Sequence, residues 1–485
     1  MMNEEEDFFE GIDEEEEEER QQAKRESKAK DSAEAANHEG EEKEKEMQVR
    51  FVTKLKDPLL RAPETPYFVP LRLSRLGLSE VVNFLLGLEP KRPFDFLIDR
   101  QFLRTSLGKY LAQHQKGEEE ILTLEYVEAS PPPKHEADHQ HDDWISCLLT
   151  SFTGFVVTGS YDQGGCVWDS KGEKTAVIEG SRHTGAVKSA TWLSKPSTDV
   201  LYFALGSKDH TISSWKVNTK NSKVEHAERF KGHTGSVEAL AHNPSFQKFC
   251  SGAWDNTIKV WDPTSEFEAG DPFDKSEANE SDKKKIKKEP FKAALVTLES
   301  HAQCVSCLTW PLADTIYSGS WDHSIRQWDV DSTVNTRTLS GEHVVLSVSF
   351  NANLGALISG HTDRYIRLWD PRSTEGAMVK QRFLSHAEWV STVQWHPRNE
   401  HLFLSASHDG KVKVWDVRSI TPLHTLPSAH KEKVLCAAWS TMTLEDEASE
   451  EEEGEKGRKQ DIWSGGSDSV LKHHSFTLSG WEERG

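Results

Sequence analysis

Seven stretches of this chain carry the side chains of a hydrolytic triad. In six of them an aspartate is followed six residues later by a tryptophan: Asp162 and Trp168, Asp209 and Trp215, Asp255 and Trp261, Asp322 and Trp328, Asp363 and Trp369, Asp409 and Trp415. A cluster of small residues precedes each aspartate. A histidine lies 20 to 26 residues before it: His141, His183, His233, His301, His343 or His386. A seventh stretch holds His430 and Gly465-Gly466-Ser467-Asp468, with His474 where the tryptophan would fall. Serine as nucleophile, histidine as base and aspartate as its orienting partner is the constellation of acyl transfer. One active site needs that set once. A set recurring at fixed spacing over about 340 residues is a repeat, and it reads as a structural hydrogen-bond network.

Three other groups could do chemistry. Cys304 and Cys307 have the local spacing of a zinc pair, but a tetrahedral site needs four ligands and no second cysteine pair exists. His135, His139 and His141 stand near acids, yet follow a proline run, Pro131 to Pro133, and read as linker and first repeat. Glu118, Glu119 and Glu120 form an acidic loop able to offer oxygen ligands to a hard cation. No phosphate-cradling glycine loop and no nucleophile elbow is found, so nothing points to catalysis or to a bound cofactor of the chain's own.

The elements that position these residues follow from the pattern. The aspartate belongs in a tight turn between strands, where its carboxylate can accept from backbone amides. The tryptophan belongs on the next strand: in Thr257-Ile258-Lys259-Val260-Trp261 alternate residues face opposite sides. The repeats resemble the WD-repeat family, whose unit is a four-stranded propeller blade. The resemblance implies a mostly β chain with a seven-bladed propeller over 144–478, the seventh blade degenerate. The outer strand of that last blade could come from residues after Phe476 or from the linker 131–143. Insertions at 263–292 and 444–460 read as flexible.

Residues 48–130 do not match the repeat. Val49–Thr53 and Phe68–Leu73 read as strands. A helix capped by Ser79 and stopped by Gly87 follows. Phe94–Ile98 is a third strand, Leu103–Leu111 a short amphipathic turn or helix, and Ile121–Tyr126 a last strand. That order suggests a ubiquitin-like β-grasp. Gly77-Leu78-Ser79-Glu80-Val81-Val82-Asn83, Pro93-Phe94-Asp95-Phe96-Leu97-Ile98 and Leu103-Arg104-Thr105-Ser106-Leu107 resemble the Notchless-like ubiquitin-like domain. That domain joined to seven blades is similar to the family of WD-repeat subunits of the PeBoW complex. The resemblance implies a non-catalytic assembly factor for the large (60S) ribosomal subunit, in the nucleus, nucleolus and nucleoplasm. Its implied partners are the block-of-proliferation protein, pescadillo, the pre-60S particle and the AAA ATPase midasin. In the family one glutamate before the last strand completes the coordination of an Mg²⁺ held by midasin. Counting back from Leu122-Thr123-Leu124-Glu125-Tyr126 puts Glu119 there, with Glu118 and Glu120 as register alternatives.

Composition limits the rest. Residues 1–46 hold 20 acids and seven bases, too little apolar surface to offset chain entropy, so 1–47 reads as a disordered tail. The tail carries about -13 of the net charge of -22, which argues against a whole-molecule grip on nucleic acid. An acidic N-terminus without an apolar core reads as no secretory signal, so the six cysteines read as reduced thiols. No run approaches a membrane span, and neither membrane nor small-molecule substrate is implied. Lys283, Lys284, Lys285, Lys287 and Lys288 read as a nuclear-import run. Repeats alone would equally suit a substrate receptor of a ubiquitin ligase or a chromatin reader; a β-grasp in place of an F-box-like helical module argues against the receptor.

Overall fold

The computed structural model describes residues 45–478, apart from 56, 100, 115–120, 152, 180–181, 265–290, 374–378, 427–428 and 441–457. Glu118 to Glu120, the lysine run Lys283–Lys288 and the acidic stretch 1–44 lie outside the described residues. Two compact units emerge, one from residues up to Ile98 and Leu103–Val127, the other from Asp99–Phe102 and Glu128 onward.

The N-terminal five-stranded sheet and its helices comprise β1 (Glu46–Val52), β2 (Tyr67–Pro70), α1 (Arg75–Leu86), β3 (Phe94–Ile98), β4 (Gln101–Phe102), α2 (Leu107–His114) and β5 (Leu122–Glu128). The sheet order is β2-β1-β5-β3-β4, with β1 and β5 parallel in the register Val49 to Leu122. A parallel central pair, with β2 antiparallel to β1 at the edge, suits the β-grasp arrangement. Phe51, Phe94, Phe96 and Tyr126 fill its core against Leu78 and Val82 of α1. Tyr126 is pinned as well as packed: its hydroxyl donates to Leu60 O and accepts from Ala62 N–H, both at 2.7 Å.

Three boundaries differ from the expectations. β1 starts at Glu46, so the sheet takes the end of the segment read as tail; Met47 is buried and pairs with Val69. β2 stops at Pro70, which has no N–H to continue a ladder. α1 begins at Arg75, one turn before Ser79, because buried Leu78 extends its apolar stripe backward. Ser79 is not the cap; its hydroxyl accepts from Phe94 N–H at 3.0 Å. Gly87, at φ 64°, ends the helix in the left-handed conformation glycine adopts without strain.

The second unit is a closed ring of seven four-stranded sheets. The innermost strands begin at Ile145, Val187, Val237, Val305, Val345, Val390 and Val434, and each neighbours the next, with the last returning to the first. Blades 1 to 6 are consecutive in sequence. Blade 7 takes three strands from Val434–Trp439, Arg458–Gly466 and Val470–Leu478, and its outer strand from Lys134–Gln140. The segment read as linker 131–143 therefore closes the ring. It pairs Val470 with Gln140 through Ser475 with Lys134, and Lys472 Nζ bonds Asp138 Oδ1 at 2.9 Å.

Both insertions are shorter than expected. Arg458 to Gln460 already belong to a strand. Lys292, at the end of 263–292, is buried, and its ammonium donates to Glu228 Oε1 at 2.6 Å and to the Pro263 carbonyl. A buried ammonium needs such partners, which fix the segment there.

Candidate functional site

Each of the seven aspartates sits in the turn between the second and third strand of its blade. The next residue has positive φ in every blade, from Gln163 at 74° to Ser469 at 57°, although only Gly410 is a glycine. The aspartate makes that conformation affordable: Oδ1 of Asp255 accepts from Thr257 N–H two residues on, at 3.1 Å. Its other oxygen reaches the histidine. In blade 3 His233 Nδ1 stands 2.8 Å from Asp255 Oδ2, His233 Nε2 is 2.6 Å from Ser251 Oγ, and Trp261 Nε1 donates to that Oγ at 2.7 Å. Blades 4 and 6 repeat this with His301, Asp322, Ser318 and Trp328, and with His386, Asp409, Ser405 and Trp415.

One proton arrangement satisfies every atom. Nδ1–H donates to the carboxylate, the serine hydroxyl donates to Nε2, and the indole N–H donates to the serine oxygen. Ser251, Ser318 and Ser405 are at most 1% exposed. The atoms of a triad are present, but the nucleophile is wedged between imidazole and indole where no substrate carbonyl reaches it. Electrostatics agree. Burial alone would push Asp255, Asp322 and Asp409 up, but the hydrogen bonds from histidine and backbone outweigh it and hold them well below the usual carboxylate range. Burial pushes His233 and His386 down, only partly offset by their aspartates.

Four blades depart from the pattern. In blade 2 the serine is Ser213, on the third strand, directly opposite Leu205; His183 Nε2 lies 2.5 Å from it and Trp215 donates to it at 3.0 Å. In blade 1 Thr158 takes the Trp168 N–H at 2.9 Å, and His141 stands 3.8 Å from Asp162, beyond hydrogen-bond reach. In blade 7 His430 bridges Asp468 and Ser464, both at 2.9 Å, and fully buried His474 occupies the tryptophan place.

Blade 5 is rewired. His343 has the expected spacing, but its side chain is 43% exposed and 3.5 Å from Asp363. The serine partner is His361, whose Nε2 is 2.7 Å from Ser359 Oγ. Arg367 grips Asp363 with both terminal nitrogens, one bond measuring 3.0 Å. Burial, and then the Arg367 charge, push His361 down to about 4. Sequence spacing missed His361, Arg367, Ser213 and Thr158. An arginine four residues after the aspartate, combined with a histidine two before it, is the signal that would have found the first pair.

The other candidates take ordinary places. Cys304 and Cys307 are buried at the start of blade 4's inner strand, and burial pushes Cys307 to about 12. His135 and His139 lie on the closing strand of blade 7. Among the described residues no cluster of three or more His, Cys, Asp or Glu could hold a metal, and no helix is long and apolar enough to cross a membrane.

Residues 47–111 match the NLE (NUC135) domain, and 225–262, 293–329, 333–370 and 378–416 match the WD domain, G-beta repeat. A protein of Oryza sativa subsp. japonica named a ribosome biogenesis protein WDR12 homolog is 40% identical, over 81% of this chain and 92% of its own length. Similarly named proteins of Nematostella vectensis and Arabidopsis thaliana are 37% and 34% identical, over 82% and 90% of this chain and 95% and 98% of theirs. The chain belongs to the WDR12 family. In this WDR12-family chain the matched WD segments end one residue after Trp261, Trp328, Trp369 and Trp415. The repeats ending at Trp168, Trp215 and His474 fall outside them, and these are blades whose networks are loosened, crossed to another strand or lacking tryptophan. Blade 5 is matched although rewired.

Proposed function

We propose that this chain is a non-catalytic ribosome-biogenesis factor that helps assemble the large subunit. It works within the PeBoW complex, beside the block-of-proliferation protein and pescadillo on pre-60S particles in the nucleolus and nucleoplasm. The observation that carries the reading is one chain holding both a β-grasp unit and a seven-bladed ring, with family membership along most of its length. A closed ring of blades leaves only short outer-strand edges and packs each blade against its neighbours, so it suits a rigid docking platform.

The β-grasp unit supplies the handle. Glu119, with Glu118 and Glu120 as register alternatives, completes the coordination of an Mg²⁺ held by midasin, and ATP-driven movement of midasin pulls the chain from the particle. Carboxylate oxygen is the right donor for that ion. Residues 115–120 fall in sequence between Tyr110 and Leu111 of α2 and Leu122 of β5, all three buried. Buried flanks on both sides let a pull applied at Glu119 reach the sheet.

Purification of the tagged chain with mass spectrometry tests the assembly role. Large-subunit assembly factors are expected; cullin subunits or histones in their place would overturn it. Glu119→Ala should weaken binding to the isolated midasin adhesion domain at least tenfold, with the β-grasp melting point unchanged. Unchanged affinity, with Glu118→Ala or Glu120→Ala weakening it instead, moves the register; unchanged affinity for all three rejects the handle.

A further inference from the structure

Every innermost strand of the ring carries a β-bulge at its second residue, so Lys188, Glu238 and Ser306 stand at equivalent places in blades 2, 3 and 4. A second equivalence comes from the residue just before each aspartate, whose N–H reaches the neighbouring loop: Tyr161, Trp254 and Trp321 hold that place in blades 1, 3 and 4.

Between blades 1 and 2 the chain supplies a cation to an aromatic ring. Lys188 Nζ lies 4.2 Å from the Tyr161 ring centroid and also bonds its hydroxyl. Between blades 3 and 4 the same positions hold different residues. Trp254 replaces the tyrosine and meets Trp321 at 5.1 Å between centroids, tilted 53°. The bulge residue is Ser306, whose hydroxyl turns to the Gly319 and Val345 carbonyls. Among the described residues no cation lies over either indole. Trp254 is 49% exposed.

A carboxylate is already aimed there. Glu238 Oε1 accepts from Trp254 Nε1 at 2.9 Å and from Ser236 Oγ at 2.7 Å. Two donors on one oxygen fix the group's orientation and leave Oε2 without a hydrogen bond among the described residues.

We propose that Trp254, Trp321 and Glu238 form a recognition site for the guanidinium of an arginine in a basic peptide segment. Indole faces attract cations through their quadrupole, and an oriented carboxylate accepts from guanidinium N–H groups. Arginine is favoured over lysine because its planar group stacks on an indole while donating sideways. The carboxylate repels phosphate, which disfavours a nucleic-acid backbone. This site is independent of the midasin handle, and either reading can fail alone.

Fluorescence anisotropy on the full chain, at about 150 mM salt to screen its acidic segments, tests the site. The probes are fluorescein-labelled Gly-Ser-spaced peptides carrying arginine, lysine or citrulline, the last an uncharged near-isostere. The arginine peptide should bind, the lysine peptide more weakly, and the citrulline peptide at least tenfold more weakly. Glu238→Gln and Trp254→Ala should each cost about tenfold, the size of one well-formed cation–π or charge-assisted contact. Ser306→Lys should compete from within, placing an ammonium where Lys188 sits two junctions away. Equal binding of citrulline, or affinity unmoved by Glu238→Gln and Ser306→Lys, would overturn the site. Lysine binding as tight as arginine would overturn the guanidinium assignment. Thermal melting of each variant checks the fold; Glu238→Gln, nearly isosteric and partly exposed, decides if Trp254→Ala does not fold.

Discussion

Blades 3 and 5 solve one problem in two ways. Each must hold a buried tryptophan against a serine on the neighbouring strand and keep an aspartate turn in place. Blade 3 does both with one histidine, since His233 reaches Asp255 and Ser251 together. Blade 5 splits these roles between two side chains, with His361 serving Ser359 and Arg367 serving Asp363. The Trp369 to Ser359 bond, at 2.6 Å, is as short as its counterpart in blade 3. The comparison teaches that the blade requires satisfied polar atoms at fixed places, not a particular residue supplying them. A buried serine hydroxyl or carboxylate left alone would cost about 1–3 kcal/mol or more, and in blades 2 and 5 the departure from the pattern comes with a replacement.

The strongest way to break the equivalence is to remove the substitute in blade 5. Arg367→Ala leaves Asp363 without its bidentate partner at a site where the arginine side chain is 6% exposed. Loss of one member of a buried charge pair costs about 3–5 kcal/mol. The chemical-denaturation midpoint of the ring should drop accordingly. Tryptophan fluorescence reports it cleanly, because all 16 tryptophans lie beyond residue 143. A loss under about 1 kcal/mol would mean that Asp363 finds another partner. Next in size is His233→Ala, which strands both Asp255 and Ser251 and should cost about 2–3 kcal/mol.

Much of this was legible in the sequence. The aspartate-to-tryptophan spacing marked the turns and third strands of six blades, and His474 was correctly placed as the seventh. The β-grasp followed from its strand order and motifs. What was hidden has physical causes. The closing strand Lys134–Gln140 reads Lys-His-Glu-Ala-Asp-His-Gln, with no apolar alternation, because an outer strand has little core to face and most of its residues are exposed. Ser213 was hidden because a side chain reached from the opposite strand has no fixed offset in sequence. His343 was chosen over His361 because spacing counts residues and not the route a side chain takes. Glu119, the Lys283–Lys288 run and the partners inferred from family resemblance lie outside what the described geometry tests.

Acid should separate the two units of the molecule. In the ring, burial pushes His242 and His396 down to about 4. A histidine whose folded value lies below its unfolded one, near 6.5, favours folding while neutral, and that stability is lost as pH falls from about 6.5 toward 4. The depressed aspartates act next. Their contribution is present above the unfolded value near 3.8 and is lost as pH falls below it toward their folded values. In the β-grasp unit Asp95 runs the other way: burial raises it more than Arg75 and Arg104 lower it. A raised carboxyl contributes stability that is full below the unfolded value and lost as pH rises through the folded one. Between pH 7 and 4 the ring should therefore weaken while Asp95 favours its own unit. Tryptophan fluorescence follows the first, and methyl NMR signals of Leu78 and Val82 the second. Both units weakening in step would contradict the assignment.

The smallest effect is the most discriminating for blade 5. His343 sits at the spacing of the network histidine, so a reading by spacing alone gives His343→Ala the same cost as His233→Ala. The structure gives it almost none. The side chain is 43% exposed, and the carboxylate it faces at 3.5 Å already accepts two bonds from Arg367. An exposed pair of that kind contributes about 0–1 kcal/mol, and His343→Ala should fall below about 0.5. A double-mutant cycle with Arg367→Ala sharpens the point. If the two side chains act independently on Asp363, the coupling is near zero; if His343 swings in when the guanidinium is removed, the double variant loses more than the sum of the singles. A cost for His343→Ala close to that for His233→Ala would mean that blade 5 keeps the common network in solution, and the division of labour between His361 and Arg367 would fall with it.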